Sequence, residues 1–281
     1  MKQFQGKVAV ITGGASGLGR AMAERFAREG MSIVLADVEP EALAKAEAEM
    51  KAVGAKVIGV RTDVSKATDV EALAQKTLAA YGAVHLVANN AGVAPGGNVW
   101  DNSVADWEWI LGVNLWGVIH GVRVFTPIML AQGGEGHIIN TASVAGLISP
   151  PGSGMYNVTK HAVVTLTETL YHDLKRRHSE LGCSVLCPAY VPTGIVDSER
   201  NRPQQLQNPA REKTAEELAL EAGLRKAVTS GRQSADDVAQ KVYEAVREER
   251  FYILTHPKIK ASIRWRMEDI LAEHNPTDPM G

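Results

Sequence analysis

Cysteine, aromatic side chains and unbalanced charge are all scarce in this sequence, and each shortage removes a class of protein. Two cysteines, Cys183 and Cys187, occur in 281 residues. They fall in one apparent strand, where four steps of about 3.3 Å carry them beyond disulfide reach, so both read as buried apolar filler. The eight histidines are scattered without zinc-type spacing, and no catalytic metal is expected. Aromatics make up 5% of the chain and the formal net charge is −2. With no basic stripe interleaved with aromatics, nucleic acid is excluded as a partner. The apolar runs VAVITGG and HLVANNAGVA are of strand length, short of the roughly 20 residues of a membrane span. The N-terminal MKQFQGK lacks an apolar signal core. The expectation is a cytoplasmic protein with no membrane partner.

What is present is ordinary for a globular chain, 45% hydrophobic and 22% charged, and long enough to bury a full core. Short β-branched runs alternate with helical stretches throughout. KVAVIT ends at a glycine pair and leads into GRAMAERFARE, stopped by Gly30; SIVLAD leads into a helix opened by Pro40 and closed by Gly54. KVIGVRTD, AVHLVANNAG, GHIINTAS, CSVLCP and RFYILT supply five more strands. Thr68 with Glu71, Ser103 with Asp106, and Thr214 with Glu217 have capping-box spacing. The helix after Ser103 is expected to run unbroken to about Leu130, and the one bearing Tyr156 to about His178. Apolar strands alternating with helices define an α/β fold, a single-domain Rossmann-type doubly wound parallel sheet of about seven strands with helices on both faces. The domain spans 1–281, and its one compositional break is polar Asp197 to Lys213.

Three stretches carry chemistry. Thr12 to Gly19, TGGASGLG, lies between the first strand and first helix, where glycines permit a tight turn and let a pyrophosphate approach the helix N-terminus. Asp37 ends the second strand, 20 residues beyond Gly17, the place of the acid that hydrogen-bonds the adenosine ribose. A carboxylate there, with Glu39 beside it, repels a 2′-phosphate, so NAD is favoured over NADP. Third, Tyr156 and Lys160 are four apart and share a helix face, with Ser143 a short loop upstream. A free phenol titrates near about 10, and a neighbouring ammonium is expected to lower that value.

These motifs, in this order, resemble the short-chain dehydrogenase/reductase family over nearly the whole chain. The family's TGxxxGxG appears as Thr12, Gly13, Gly17 and Gly19, its NNAG as Asn89, Asn90, Ala91 and Gly92, and its catalytic tetrad as Asn114, Ser143, Tyr156 and Lys160. The resemblance implies that Ser143 holds the substrate oxygen, that Tyr156 exchanges a proton with it, that Lys160 supports the tyrosine and the nicotinamide ribose, and that Asn114 holds a water leading to solvent. It also implies cofactor contacts from Ser16, Leu18, Asp63, Val64, Pro188 and Thr193. Ala189 stands where the family usually has glycine.

In this family the substrate pocket is formed by the Ser143 to Tyr156 loop and the segment after the sixth strand. Here these offer Val144, Leu147, Ile148, Pro150, Met155, Tyr190, Ile195 and Val196, which points to a small hydrophobic secondary alcohol or its ketone. Residues 189–233 are expected to act as a substrate lid. The C-terminal extension, 256–281, carries Ile259, Ile263, Met267 and Ile270 at helical spacing, suited to packing at a subunit interface. The resemblance implies a homodimer or homotetramer. Two other readings stand beside the NAD-dependent oxidoreductase: a dinucleotide-sensing regulator without turnover, and a sugar-nucleotide epimerase or dehydratase, which also uses a Tyr-x-x-x-Lys pair.

Overall fold

In the computed structural model, residues 1–210 and 212–279 are described. Arg211, inside the expected lid, and Met280 and Gly281, at the end of the expected extension, lie outside the described residues. The first strand, β1 (Val8–Thr12), is apolar on both faces and fully buried. β4 (Leu86–Asn89) and β5 (Gly136–Thr141) are also fully buried, the latter with the polar His137, Asn140 and Thr141 among its residues. With β2 (Ser32–Asp37), β3 (Val57–Arg61), β6 (Leu181–Cys187) and β7 (Tyr252–Leu254), they form one parallel sheet in the order β3-β2-β1-β4-β5-β6-β7. The order reverses between β1 and β4. That switch point opens a crevice beyond the carboxyl ends of the strands, the place where open α/β sheets take ligands.

Alternation along each strand sends side chains to two cores. Ala9, Ile11, Ile33 and Leu35 pack under α1 (Gly17–Arg28), α2 (Pro40–Ala52) and α8 (Ala235–Glu248). Val8, Val10, Val34 and Ala36 pack on the other side, under α3 (Ala67–Tyr81), α5 (Gly117–Gln132) and α6 (Gly154–Arg176). Cys183 and Cys187 are both free and buried in β6.

Two local expectations need correction. Thr68 and Glu71 do not cap α3, whose N-cap is Lys66, with no side-chain cap bond. Asp69 instead accepts the Asp63 amide at 3.0 Å, and Asp63 holds Ser65, so the chain enters the helix at Lys66 rather than Thr68, earlier than the pattern implied. The helix that opens at Ser103 is interrupted. It comprises α4 (Val104–Leu111), a π-helical turn at Gly112–Trp116, and α5. The capping boxes at Ser103 and Thr214 are both formed, the latter opening α7 (Ala215–Thr229).

The run Val104–Gln132, 29 residues with a mean hydropathy of 1.3, is long and apolar enough by length and composition to cross a membrane, a feature the strand-length apolar runs did not signal. Its apolar character has a core explanation: Trp109, Ile110, Val118, Phe125 and Met129 are buried in the domain. The last helix, α9 (Ile259–Leu271), buries none of its side chains and leaves Trp265, Met267, Ile270 and Leu271 exposed.

Candidate active site

A cleft of about 240 Å³ lies at the switch point. Its floor is the turn after β1, built by close backbone approach. A Cβ on Gly19 would stand 2.0 Å from the Gly13 carbonyl oxygen, and one on Gly13 3.0 Å from the Ala91 Cα, so both positions exclude a side chain. Gly17 has φ of 53° and abuts Thr193. Thr12 ties the turn to the next strand: its Oγ1 accepts the Asn90 and Ala91 amides at 2.8 and 3.1 Å. Ser16 is the N-cap of α1 yet makes no side-chain cap bond, and no acid occupies the first turn. The first amides of α1 therefore meet no competing side-chain anion where they face the cleft, which suits a pyrophosphate.

Of the residues expected to hold the cofactor, Gly13, Ser16, Gly17, Leu18, Asp37, Asp63, Val64, Asn90, Ala91, Gly92, Pro188 and Thr193 line this cleft. Gly19 lies behind them, spacing the helix from the turn. Asp37 accepts the Ala15 and Glu39 amides at 3.0 and 3.1 Å, which fixes the carboxylate across the turn. Burial pushes its carboxyl above the ordinary value, against the pull of those two amides. Ala189 is absent from the left-handed region, where the only non-glycine residues among those described are His178, Glu249 and Glu273. Alanine is thus accommodated without backbone strain.

At the opposite end Tyr156 and Lys160 share one face of α6 and line the cleft. The Lys160 ammonium donates to the Thr141 carbonyl at 3.0 Å and lies 5.4 Å from the Tyr156 ring centroid. Burial pushes Lys160 down to about 8. For Tyr156, which is partly exposed to the cleft, the apolar surroundings push the phenol up to about 12, with Ser143 opposing the shift. The expected lowering of Tyr156 by Lys160 is not what this arrangement gives: desolvation raises the phenol, and the opposing pull comes from Ser143. A phenol so raised is protonated at neutral pH.

Ser143 opens a short 3₁₀ turn (Val144–Gly146) and is buried, its hydroxyl donating to the Pro188 carbonyl at 3.3 Å and accepting the Ala145 amide at 3.2 Å. Asn114 sits within the π-helical turn and is fully buried. It accepts the Val93 amide at 2.8 Å and donates to the Val93 carbonyl at 2.9 Å. The extra backbone residue of a π-turn re-aims a side chain, and here it turns Asn114 onto the loop after β4. A Cβ on Gly92 would stand 3.3 Å from Asn114 Oδ1 and 3.7 Å from Lys160 Nζ, so the loop brings all three together.

Among the residues expected to meet substrate, Ile195 lines the cleft. Val144 is half-buried beside Ser143, and Tyr190 is 38% exposed at the surface. Ile148 and Met155 are buried away from the opening, Met155 packed with Val93, Trp109 and Ile110.

The cleft's roof falls within the span expected to be a lid, 189–233, but sequence reasoning singled out none of the side chains that form it. Ser198, Arg200, Asn201, Pro203 and Leu206 cross over it, with Trp109 below. Arg202 is nearly buried, 2.6 Å from Asp106 and 5.1 Å above the Trp109 ring centroid. Burial alone would raise the Asp106 carboxyl, yet its bonds to Arg202 and Ser103 hold it below the ordinary range. The Ala94 amide donates to Ser198 Oγ at 3.1 Å. Asn208 donates to Asp106 at 2.8 Å, which carries the crossing segment on to α4. No local pattern signals these pairings, since each joins residues about a hundred positions apart.

A glycine turn at the switch point, an acid closing the next strand and a tyrosine–lysine pair across the same crevice define an α/β protein of the dinucleotide-binding plan. The chain belongs to the short-chain dehydrogenases, whose family model matches residues 7–204. It is 35% identical over 277 residues to a CLA biosynthesis dehydrogenase/reductase of Lactiplantibacillus plantarum, covering 98% of this chain and 97% of that protein. To a C alpha-dehydrogenase of Sphingobium sp. it is 32% identical over 284 residues, covering 100% and 91%. A crystal structure of a short chain dehydrogenase/reductase from Burkholderia phymatum, in complex with NAD, is 58% identical with a TM-score of 0.98 and full coverage of both chains.

Proposed function

We propose that this protein is an NAD-dependent oxidoreductase that interconverts a hydrophobic secondary alcohol and its ketone. The observation that carries the reading is the placement of Tyr156 and Lys160 on the wall of the same cleft whose floor is the glycine turn and whose far end is Asp37. The residues present fit NAD: the turn after β1 and the start of α1 would hold the pyrophosphate, Asp37 the adenosine ribose, Asp63 and Val64 the adenine, and Lys160, Pro188 and Thr193 the nicotinamide half. The NAD in the Burkholderia phymatum relative supports this choice.

When bound, the nicotinamide supplies the hydride acceptor or donor at the carbon that bears the substrate oxygen. Every other part of the reaction falls to the chain. The Tyr156 phenol exchanges the proton with the substrate oxygen: as a C–H bond breaks and C=O forms, the O–H proton passes to the phenolate, and in reduction it returns. Ser143 donates to the same oxygen and stabilises the charge that develops on it. Lys160 supplies a positive charge below its value of about 8, and it favours the phenolate whenever the tyrosine has given up its proton. Asn114 positions the Val93 loop that carries Gly92 beneath the ammonium.

Val144, Ile195 and the roof residues Pro203 and Leu206 make the substrate end mainly apolar, which favours an apolar alcohol. The segment 189–233 serves as the lid, and α9 offers an apolar face for packing between protomers of a homodimer or homotetramer. The test is nicotinamide reduction with NAD and NADP across a panel of apolar secondary alcohols, from aliphatic to polycyclic. Tyr156→Phe should lower kcat by roughly a thousandfold with cofactor binding intact. Full activity in that variant would remove the tyrosine from the chemistry.

A further inference from the structure

Glu39 and Arg200 lie 161 positions apart in the chain and meet at the acidic end of the cleft. Arg200 Nη2 donates to Glu39 Oε1 at 2.7 Å, and Nε lies 3.4 Å from Oε2, so the carboxylate takes the two-pronged edge of the guanidinium. Asn201 adds a third donor to Glu39 at 2.9 Å. The other edge of the arginine is fixed to its own segment, Nη1 donating to the Gly194 and Asp197 carbonyls at 3.1 and 2.8 Å. Both residues line the cleft beside Asp37. Apart from Lys160 at the far end, Arg200 is the one lysine or arginine among the described residues lining it.

Asp37 marks where the adenosine ribose belongs. In folds of this plan, an arginine near that acid is the feature that accommodates a 2′-phosphate, and its planar fork matches phosphate oxygens in pairs. Here such an arginine is present, yet the edge that would meet a phosphate is already given to a carboxylate. We propose that Glu39 is a cofactor-specificity residue that masks Arg200, so that the cleft accepts NAD and turns away NADP because the cation is held by Glu39 as well as because Asp37 is an acid. This rests on the NAD reading above. Removing the charge at position 39 leaves Arg200 tethered by Gly194 and Asp197, pointing its vacant edge at the ribose 2′ position. The preference thus depends on two segments, the turn after β2 and the strap after β6.

Binding of adenosine fragments tests this without turnover. Affinities for adenosine 5′-monophosphate and adenosine 2′,5′-bisphosphate are measured by calorimetry on the full chain, with NADH and NADPH followed by fluorescence. Wild type should prefer the monophosphate. In Glu39→Gln the bisphosphate should bind about tenfold tighter, the scale of one solvent-exposed charge-assisted hydrogen bond, while the monophosphate changes less than about twofold. Adding Arg200→Met to Glu39→Gln should cancel that gain. No gain in Glu39→Gln while NADH still binds would overturn the mask and leave the NAD reading standing, as would a gain that survives the loss of Arg200. Failure of wild type to bind NADH or either fragment would overturn the NAD reading and the mask with it.

Discussion

The floor and the roof of the cleft are made by opposite means. The floor, from Thr12 to Gly19, is held by backbone packed on backbone, so tightly that one methyl group at Gly19 would sit 2.0 Å from a carbonyl oxygen. The roof, from Gly194 to Asn208, has little apolar burial and is fastened by side-chain charge: Arg200 to Glu39, Arg202 to Asp106, Arg225 to Asp197. A backbone contact cannot be undone without unfolding, whereas an ion pair between side chains opens and closes in place. On the proposed function, the fixed task of shaping an anion site would fall to the floor, and the movable task of admitting and releasing ligands to the roof.

The comparison breaks most violently at Gly19. Gly19→Ala should weaken NAD binding at least a hundredfold, equivalent to ~3 kcal/mol or more, because neither the turn nor α1 can recede. Calorimetry on a variant with native circular dichroism would show it, and binding within a few-fold of wild type would refute the close packing.

Acid should separate the two regions. His137, fully buried on β5, is pushed down to about 3 by burial. Its folded value lies below the ordinary 6.5, so the unfolded chain takes up the proton first, and the stability present above about 6.5 is lost as pH falls toward 3. The upper bound is roughly 5 kcal/mol. Asp106, the α4 carboxylate that anchors the roof through Arg202, also has a depressed value, but its contribution persists until pH falls below the ordinary carboxylate range near about 4. Between about pH 6 and 4 the sheet should weaken while the roof's pair holds. Urea midpoints against pH, with His137→Gln flattening the slope, would check this; an unflattened slope would place the titration elsewhere.

At the roof's anchor on α4, Asp106→Ala should cost about 3 kcal/mol, because it strands the nearly buried Arg202 guanidinium and removes half of the Ser103 capping box. The urea midpoint measures it, and a small change would mean that Glu199, 3.5 Å from Arg202, takes over the charge. The smallest effect belongs to Arg225→Ala. Its pair with Asp197 is more than half exposed on both sides, and its loss should move stability by less than about 0.5 kcal/mol. A shift above 1 kcal/mol would reveal that the roof behaves as one cooperative unit.

The division between floor and roof is also the division between what could be read in the sequence and what could not. Strands of apolar β-branched residues, glycines at the turns and the Ser103 and Thr214 caps are local patterns, and the sheet and the turn after β1 followed from them, with β2 placed residue for residue. Tyr156 and Lys160 share a cleft wall because helical spacing alone puts them on one face. The π-helical turn that aims Asn114 was not legible, since it arises from competition between one more backbone bond and a side chain's hold on Val93. Arg200 and Glu39 were invisible as a pair because charge attraction across a fold leaves no trace in spacing. The Thr68 cap failed because Asp63 and Asp69 offer the same chain a competing turn.

The strand order has a kinetic consequence. The crevice lies between β1 and β4, strands that touch across 76 positions of chain, from Thr12 to Ala88. Each parallel pairing needs a crossover, and the pair that frames the crevice must enclose α1, β2, α2, β3 and α3 before it closes. Loop closure of that kind is slow and is repaid late. The binding cleft is therefore among the last features to appear as the chain folds and among the first to part as it unfolds, and a ligand lodged there acts as a brake on unfolding.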